Sequence, residues 1–259
     1  LRDAGAAALS ASPEDSSGLV IGSRAPGEAS GRLGLALVAV GLVVLFSLLN
    51  ASFFRLENFI TIGVNSTSIL IAVLGTSALL IAGYVDLSIG SMVAFIGIIV
   101  AKVAVATQDP FLSVGTGLAL GFVLGLINGI LVRKLSISPL IVTLAMLAIY
   151  GGLAFVVSSV AVYGFPDALL QLGRGKILGV QYTVLIAIAI FVVGSFILTR
   201  TVIGLRIYAI GGDPRAAELC GVPVGRTVVG LYAVNGVLIG LVAVLIAGRL
   251  NSITPTIGV

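Results

Sequence analysis

The 259-residue sequence contains no histidine, no tryptophan and a single cysteine, Cys220. Without histidine, a serine–histidine catalytic triad cannot be built, and one cysteine cannot form an intrachain disulfide framework. One thiol among scattered carboxylates also fails to supply the ligand set of a zinc or iron site. No Gly-x-x-x-x-Gly-Lys-[Ser/Thr] phosphate-binding loop is present. The sequence therefore predicts a chain that is not an enzyme and that carries no cofactor or metal.

Charged side chains are also scarce. They make up 9% of the residues, whereas hydrophobic residues make up 59% and the mean hydropathy is +1.25. A soluble globule carries about 25% charged residues, because its surface must face water. The net charge is +4, but the basic residues stand singly at the ends of apolar runs, as in membrane proteins. These features favour a membrane protein and argue against nucleic-acid binding.

Seven apolar runs follow one another along the chain. Each is near the ~20 residues that a helix needs to cross a bilayer, and none shows the ~10-residue alternation of barrel strands. The runs span residues 33–52, 59–83, 89–107, 111–132, 139–160, 180–199 and 227–248. The predicted fold class is therefore an all-α polytopic membrane protein with about seven transmembrane helices.

Residues 1–31 differ from the rest, being rich in Ala, Gly, Ser and Pro without an apolar period. Such a composition predicts a disordered tail. If this tail is cytoplasmic, nine of the 14 basic residues lie inside, four of them in segment 200–226. The positive-inside rule therefore predicts a cytoplasmic N-terminus.

Three glycines of the fourth run, Gly121, Gly125 and Gly129, recur every four residues. This spacing places them on one stripe of a helix, where the missing Cβ atoms let a neighbouring helix approach closely.

The connection between the second and third runs contains Asp86, Ser88 and Gly90. A carboxylate among apolar residues at membrane depth is costly and usually has a structural or functional role. Asp86 is predicted to cap the third helix by accepting backbone N–H groups, and Ser88 could do the same. A direct role of Asp86 in substrate binding or gating is the alternative.

Segment 200–226 is more than a simple connection. Asp213 followed by Pro214 predicts the start of a helix, and Gly221 ends it after about two turns. This short helix is predicted to present Arg215, Ala217 and Glu218 at the membrane surface, where a soluble partner could dock. An amphipathic turn that lies on the lipid is the alternative.

These segments resemble the permeases of ribose-type ABC importers, which carry monosaccharides and related small polar molecules. The family's motifs match in unbroken order over residues 33–259. They are found at Val85–Ser91, Asn128-Gly129, Leu140–Leu144, Tyr208–Val222 (with Asp213 where the family has asparagine) and Gly248–Gly258. The resemblance implies a ten-helix permease fold, of which residues 32–259 would be a domain incomplete at its C-terminus.

The resemblance also implies a function and partners. The chain would form the translocation path, while a separate ABC ATPase subunit hydrolyses ATP. A periplasmic or lipid-anchored solute-binding protein, a second permease copy in a homo- or heterodimer, and membrane lipid would be the other partners. The location would be the bacterial inner membrane. Segment 200–226 would be the cytoplasmic coupling loop, with Gly204, Tyr208, Gly211, Asp213, Arg215, Ala216, Ala217 and Gly221 as its candidate residues.

Uncharged polar residues inside the apolar runs are candidates for the solute path, because a neutral sugar needs hydrogen-bonding groups. They are Asn65, Ser68, Asn128, Thr143 and Asn235. Interhelical hydrogen bonds are the alternative role for each of them. An ion-coupled secondary transporter is the alternative function, but that class keeps ionisable groups within its spans. Here only Asp86 approaches such a position.

Overall fold

The computed structural model describes residues 26–50, 52–135 and 137–258. Ten helices and four short strands are assigned in this part of the chain. In chain order they are α1 (Pro26–Leu49), α2 (Leu56–Ile81), α3 (Ile89–Thr107), α4 (Pro110–Lys134), α5 (Pro139–Val157), β1 (Val162–Tyr163), α6 (Asp167–Arg174), β2 (Lys176–Ile177), β3 (Val180–Gln181), α7 (Tyr182–Arg200), α8 (Val202–Gly212), α9 (Pro214–Leu219), α10 (Val224–Leu250) and β4 (Ser252–Ile253).

Six of the helices in the described residues are long and apolar enough to cross a membrane, namely α2, α3, α4, α5, α7 and α10. Each coincides with a predicted run to within a few residues, so the all-α polytopic fold is confirmed. The first predicted run corresponds to α1, whose apolar stretch within the described residues is the shorter Leu37–Leu49. The role of α1 as a seventh span stays a prediction.

Helix α1 begins at Pro26, inside the predicted tail of residues 1–31. Proline suits the first turn of a helix, where its missing N–H would have no partner and its fixed φ is already helical. The apolar run that follows then continues the helix. Residues 1–25, on which the rest of the tail prediction falls, lie outside the described residues.

The chain divides into two compact units at residue 58. In the first unit, the turn after α1 is held by its own hydrogen bonds, in which Ser52 N donates to Asn50 Oδ1 and Asn58 Nδ2 donates to the Phe53 carbonyl, both across 2.9 Å. The second unit, from Phe59 onward, holds all but the first turn of α2, the helices that follow it and the candidate functional site.

The second unit is centred on α3 and α10, its most deeply buried long helices. Helix α10 packs most extensively against α4, and the predicted glycine stripe lies at this contact. A Cβ atom on Gly121 would overlap the backbone of Gly236 and lie 3.1 Å from Gly240 Cα. The predicted close approach of a neighbouring helix is confirmed, and the neighbour is α10.

Short elements cover the end of the unit at which α10 finishes. Strand β1 pairs antiparallel with β4, which places Val162 opposite Ile253. Strands β2 and β3 form a hairpin, and α6 packs against α10. Helix α7 remains largely exposed and packs mainly on α6 and α8. None of these short elements is evident from apolar periodicity, because they are too short to carry one.

Candidate functional site

Helix α2 ends in a defined cap, and residues 82–88 form a non-helical break before α3. Gly83 adopts φ +81°, a left-handed conformation that glycine reaches without strain. Tyr84 N donates to the Leu79 carbonyl across 2.9 Å, and Gly83 N donates to the Leu80 carbonyl across 3.0 Å. This pair of bonds is a Schellman motif, which satisfies the last carbonyls of a helix. The break is therefore a built structure and not a gap between helices.

Asp86 lies inside this break and is 3% exposed. Its Oδ1 accepts hydrogen bonds from Ser88 N at 3.0 Å and from Ser88 Oγ at 2.6 Å. Its Oδ2 accepts from Asn235 Nδ2 of α10 at 3.4 Å. Asp86 thus accepts the backbone N–H of Ser88, immediately before α3, and ties the break to α10. It accepts no backbone N–H of α3 itself, so the predicted cap of this helix by Asp86 is not formed.

Ser88 occupies the N-cap position of α3 but makes no side-chain capping bond, so the prediction that its hydroxyl caps this helix is wrong. The hydroxyl donates to Asp86 and accepts from Asn128 Nδ2 of α4 at 2.8 Å. The hydroxyl is thus directed to side chains of the break and of α4, and it accepts no backbone N–H of α3.

The chain of bonds continues through α4 to α5. Asn128 is fully buried, and its Oδ1 accepts from the Tyr150 hydroxyl of α5 at 2.9 Å. On the other side of the break, the Tyr232 hydroxyl of α10 donates to the Val85 carbonyl at 2.8 Å. One network therefore joins the break to α4, α5 and α10. We call it the Asp86 network, consisting of Asp86, Ser88, Asn128, Tyr150, Tyr232 and Asn235.

The sequence pointed separately to Asp86, Ser88, Asn128 and Asn235, and the structure brings these four residues together. Tyr150 and Tyr232 were missed, because a tyrosine in an apolar run reads as a hydrophobic residue. The signal that could have found them is that a buried tyrosine hydroxyl needs a hydrogen-bond partner. Asn235 Oδ1 is buried without a hydrogen-bond partner, so this network is not fully satisfied.

Gly90, the third candidate residue of the break, marks a contact between two of the family motifs. A Cβ atom on Gly90 would overlap the carbonyl of Gly258, and Gly258 itself adopts φ +91°. The first turn of α3 is thus held against the segment after α10. Ile253 of β4 packs beside Gly97, where an added Cβ would lie 3.3 Å from its side chain.

The remaining solute-path candidates lie in different surroundings. Asn65 of α2 is exposed, whereas Ser68 is 7% exposed and borders a cavity of about 360 Å³ between α2, α3 and α10. Thr143 is fully buried and donates to the Pro139 carbonyl of its own helix at 2.9 Å. These three residues do not join the Asp86 network.

Segment 200–226 folds into two helices. Thr201 begins α8 by accepting from Gly204 N. Asp213 begins α9 by accepting from Arg215 N at 2.8 Å and from Ala216 N at 3.2 Å. Gly221, at φ +82°, follows its end. The predicted start and stop of the short helix are confirmed, whereas α8 was not predicted.

The exposed face of α9 differs from the prediction at one position. Arg215, Ala216 and Glu218 are exposed, but Ala217 is 5% exposed and belongs to the hydrophobic core of the chain. The prediction that Ala217 faces a partner is wrong. A six-residue helix is too short for its sequence to show which face turns inward.

Segment 200–226 is seated on the helix break through Gly211. A Cβ atom on Gly211 would overlap the carbonyl of Ile81 and lie 3.5 Å from Ala82 Cα, at the end of α2. At the other end of α8, a Cβ atom on Gly204 would overlap the carbonyl of Leu198 in α7. Tyr208, between them, is about half exposed. Gly211 of α8 is therefore in direct backbone contact with the residues that precede Asp86.

The geometry is that of a multi-pass helical membrane protein. Its long helices surround a buried polar network, and a separately capped helical segment lies against the break. Residues 58–259 match the family model described as the permease component of a branched-chain amino acid transport system. The chain belongs to this family of permeases.

Curated relatives agree with this class. The chain is 34% identical to the L-arabinose ABC transporter permease protein AraH of Azospirillum brasilense, over 88% of this chain and 69% of the relative. It is 35% identical to the ribose import permease protein RbsC of Haemophilus influenzae, over 84% of this chain and 69% of the relative. It is 33% identical to the D-allose transport system permease protein AlsC of Escherichia coli, over 84% and 68%. No solved structure matches the chain.

The chain is thus the membrane-spanning permease component of an ABC importer, as its motifs indicated. Its relatives are transport permeases and not enzymes. The family match decides against the alternative of an ion-coupled secondary transporter.

Proposed function

We propose that this permease forms the translocation path for a monosaccharide or a related neutral polyol. The three relatives above are named for arabinose, ribose and allose, and they match most of the chain. The polar groups of the membrane helices are mainly hydroxyls and amides, which suit a neutral solute. A branched-chain amino acid is the second candidate solute, because the matching family model is described by that transport system.

In this proposal three proteins work with the permease. An ABC ATPase subunit docks on segment 200–226, where Arg215, Ala216 and Glu218 are exposed around a rigidly capped helix. A periplasmic or lipid-anchored solute-binding protein delivers the solute to the opposite face. A second permease copy, identical or related, completes the path. ATP hydrolysis belongs to the ATPase subunit.

We also propose a coupling route by which movement of the ATPase reaches the membrane helices. It is based on the contact between Gly211 of α8 and the end of α2. When the ATPase moves α9 and α8, Gly211 pushes on the carbonyl of Ile81, because no side chain lies between them to absorb the motion. The break then moves with α2, and Asp86 and Ser88 pass the displacement to α4, α5 and α10 through hydrogen bonds. Packed helices respond to such shifts by changing between discrete arrangements.

Candidates for the solute path are the polar side chains that do not already form hydrogen bonds within the chain. Asn128, Asn235 and Thr143 are buried and engaged in hydrogen bonds within the chain, so we assign the first two to the Asp86 network and Thr143 to its own helix. Asn65 is exposed and Ser68 borders a cavity, so these residues on α2 are the candidates for contact with the solute.

We further propose that residues 1–31 and 200–226 face the cytoplasm of a bacterial cell, and that residues 32–259 form the permease domain in its inner membrane. The distribution of basic residues supports this orientation. Residues 158–181, which contain α6 and the β2–β3 hairpin, would then face the solute-binding protein.

Reconstitution tests the proposed solute class. The chain is placed in proteoliposomes with an ABC ATPase subunit and a solute-binding protein that co-purify with it, and ATP-driven uptake of labelled ribose, arabinose, allose and leucine is compared. Uptake of one of the sugars that requires ATP, with none of leucine, is expected. Uptake of leucine alone would replace the sugar by the second candidate, and uptake without ATP would contradict the ABC mechanism.

A further inference from the structure

A large groove lies beside segment 200–226, between α2, α7, α8 and α10. Its volume is about 780 Å³, and its walls are mainly apolar, including Leu74, Phe191 and Val234. Phe191 and Val234 are 57% and 60% exposed, so the groove opens to the surroundings of the helices. A second apolar cavity of about 660 Å³ shares Leu74 and Phe191 and continues the same face along α2 and α7. We call the first cavity the arginine groove.

One end of the arginine groove is basic. Arg206 of α8 and Arg226 of α10 both line it and both are exposed, and Tyr208 lies beside them. No carboxylate is among the described residues that line this groove. Two guanidinium groups therefore border one apolar space without an acidic counterpart in its wall.

The depth of the groove corresponds to one leaflet of a bilayer. Arg226 lies in the first turn of α10, and Leu238, which lines the inner part, is twelve residues further along. At 1.5 Å per residue this distance is about 18 Å, close to half of the ~30 Å hydrocarbon thickness. The polar end thus lies at headgroup depth if Leu238 lies near the bilayer centre, and tyrosine is typical of that depth.

We propose that the arginine groove binds an anionic phospholipid, with its phosphate on Arg206 and Arg226 and an acyl chain along Phe191 and Leu74. Arginine binds phosphate oxygens through two parallel N–H donors, and basic pockets between transmembrane helices bind anionic headgroups. A soluble partner would match the arginines but not the long apolar wall behind them. A lipid matches both ends of the groove.

Because of the position of this groove, a bound lipid would also affect transport. Its walls include α8, which carries Gly204 and Gly211, and the second half of α7, where the Leu198 carbonyl contacts Gly204. A bound lipid would fill the space between α7 and α2 and contact the residues of α8 that line the groove. Anionic lipid would therefore act on the segment that the ATPase moves.

Native mass spectrometry of the purified full chain tests the site, with dioleoyl phosphatidylglycerol and dioleoyl phosphatidylcholine as probes. Wild-type protein should bind the phosphatidylglycerol more tightly. The double variant R206Q/R226Q should lose that preference by about tenfold. The matched control R200Q/R215Q removes the same charge from two arginines that do not line the groove, and it should bind like the wild type.

A second variant tests the apolar part of the site. Gly194 lines the arginine groove, and nothing lies within 4 Å of a Cβ atom added there. Gly194→Phe should fill the groove and weaken the binding of both lipids. Gly152→Phe is the control, since an added Cβ on this exposed residue of α5 also meets nothing and it lies outside the groove.

Three outcomes would overturn the proposal. The wild type could bind both lipids equally, the R206Q/R226Q variant could keep its preference for phosphatidylglycerol, or Gly194→Phe could leave lipid binding unchanged. If R206Q/R226Q instead loses the ATPase subunit in co-purification while its lipid binding is unchanged, the arginines serve the partner protein.

Discussion

Asn128 of α4 donates a hydrogen bond of 2.8 Å to the hydroxyl of Ser88, a residue 40 positions earlier that lies at the start of α3. Both side chains are fully buried. Through this bond the break after α2 is tied to α4, and through the Tyr150 hydroxyl it is tied to α5. A structural change at the break would therefore alter the hydrogen bonds that link it to α4 and α5.

Removal of the Asn128 side chain should destabilise the protein. Asn128→Ala leaves the Tyr150 hydroxyl with only its 3.3 Å contact to the Leu124 carbonyl. The expected loss is about 1–3 kcal/mol, the cost of a buried polar group without a good partner. The measurement is the free energy of unfolding in detergent. Thr143→Val is the control, since Thr143 is equally buried but bonds only its own helix, and its effect should be smaller.

A double-mutant cycle separates the contact from the loss of volume. Asn128→Ala and Tyr150→Phe should be less than additive, with a coupling energy of about 0.5–3 kcal/mol. Strict additivity would show that the two side chains do not share a bond that contributes to stability.

Two substitutions of Asp86 distinguish a structural role of its side chain from a role in transport. Asp86→Ala removes an acceptor for Ser88 N, Ser88 Oγ and Asn235 Nδ2, so its melting temperature should fall. Asp86→Asn keeps one oxygen and should be more stable than the alanine variant. If Asp86 also takes part in gating, uptake should collapse in the asparagine variant although it remains folded.

Both Asp86 variants are therefore measured for melting temperature and for uptake. An alanine variant that is as stable as the wild type and transports as well would refute both roles.

Local signals account for the features that the sequence predicted well. Asp213 and Pro214 specify a helix start by themselves, and the spacing of Gly121, Gly125 and Gly129 specifies a close helix contact. The partner of such a contact depends on distant residues. The bond from Tyr232 to the Val85 carbonyl spans 147 positions, and no local pattern indicates it.

The lack of information about distant contacts also explains why the contacts of two residues were predicted wrongly. Ser88 was predicted to cap a helix, because Asn128, 40 positions further along the chain, could not be known to lie beside its hydroxyl. Ala217 was predicted to face a partner, because α9 has too few turns for an apolar face to show.

The glycine contact between α4 and α10 gives a further prediction. Gly121→Ala places a methyl group against the backbone of Gly236, so the helices must move apart. A loss of about 1–3 kcal/mol is expected from such overpacking. Gly115→Ala on the same helix meets nothing within 4 Å and should be neutral or slightly stabilising. Equal melting temperatures for the two variants would contradict the close packing at this contact.

Accessibility labelling tests the proposed orientation. After Cys220→Ser, single cysteines are introduced at Gln171 in α6 and at Arg215 in α9, both of which are exposed. A membrane-impermeant maleimide added to intact cells, under conditions in which it enters the periplasm, should label position 171 only. Labelling of position 215 from outside would reverse the orientation and remove the proposed ATPase site from the cytoplasm.

The coupling route is best tested at two adjacent glycines at the end of α8. Gly211 is in backbone contact with the end of α2, whereas a Cβ atom added to Gly212 meets nothing within 4 Å. Alanine favours a helix equally at both positions, so the two variants differ mainly in the contact with Ile81.

The decisive measurement is solute-stimulated ATP hydrolysis together with uptake by the reconstituted transporter, for Gly211→Ala and Gly212→Ala side by side. The account predicts normal membrane insertion of both variants, wild-type coupling for Gly212→Ala, and a loss of about tenfold or more in uptake per ATP hydrolysed for Gly211→Ala. If Gly211→Ala transports as well as Gly212→Ala, the contact between α8 and α2 does not transmit the movement of the ATPase, and the proposed route is wrong.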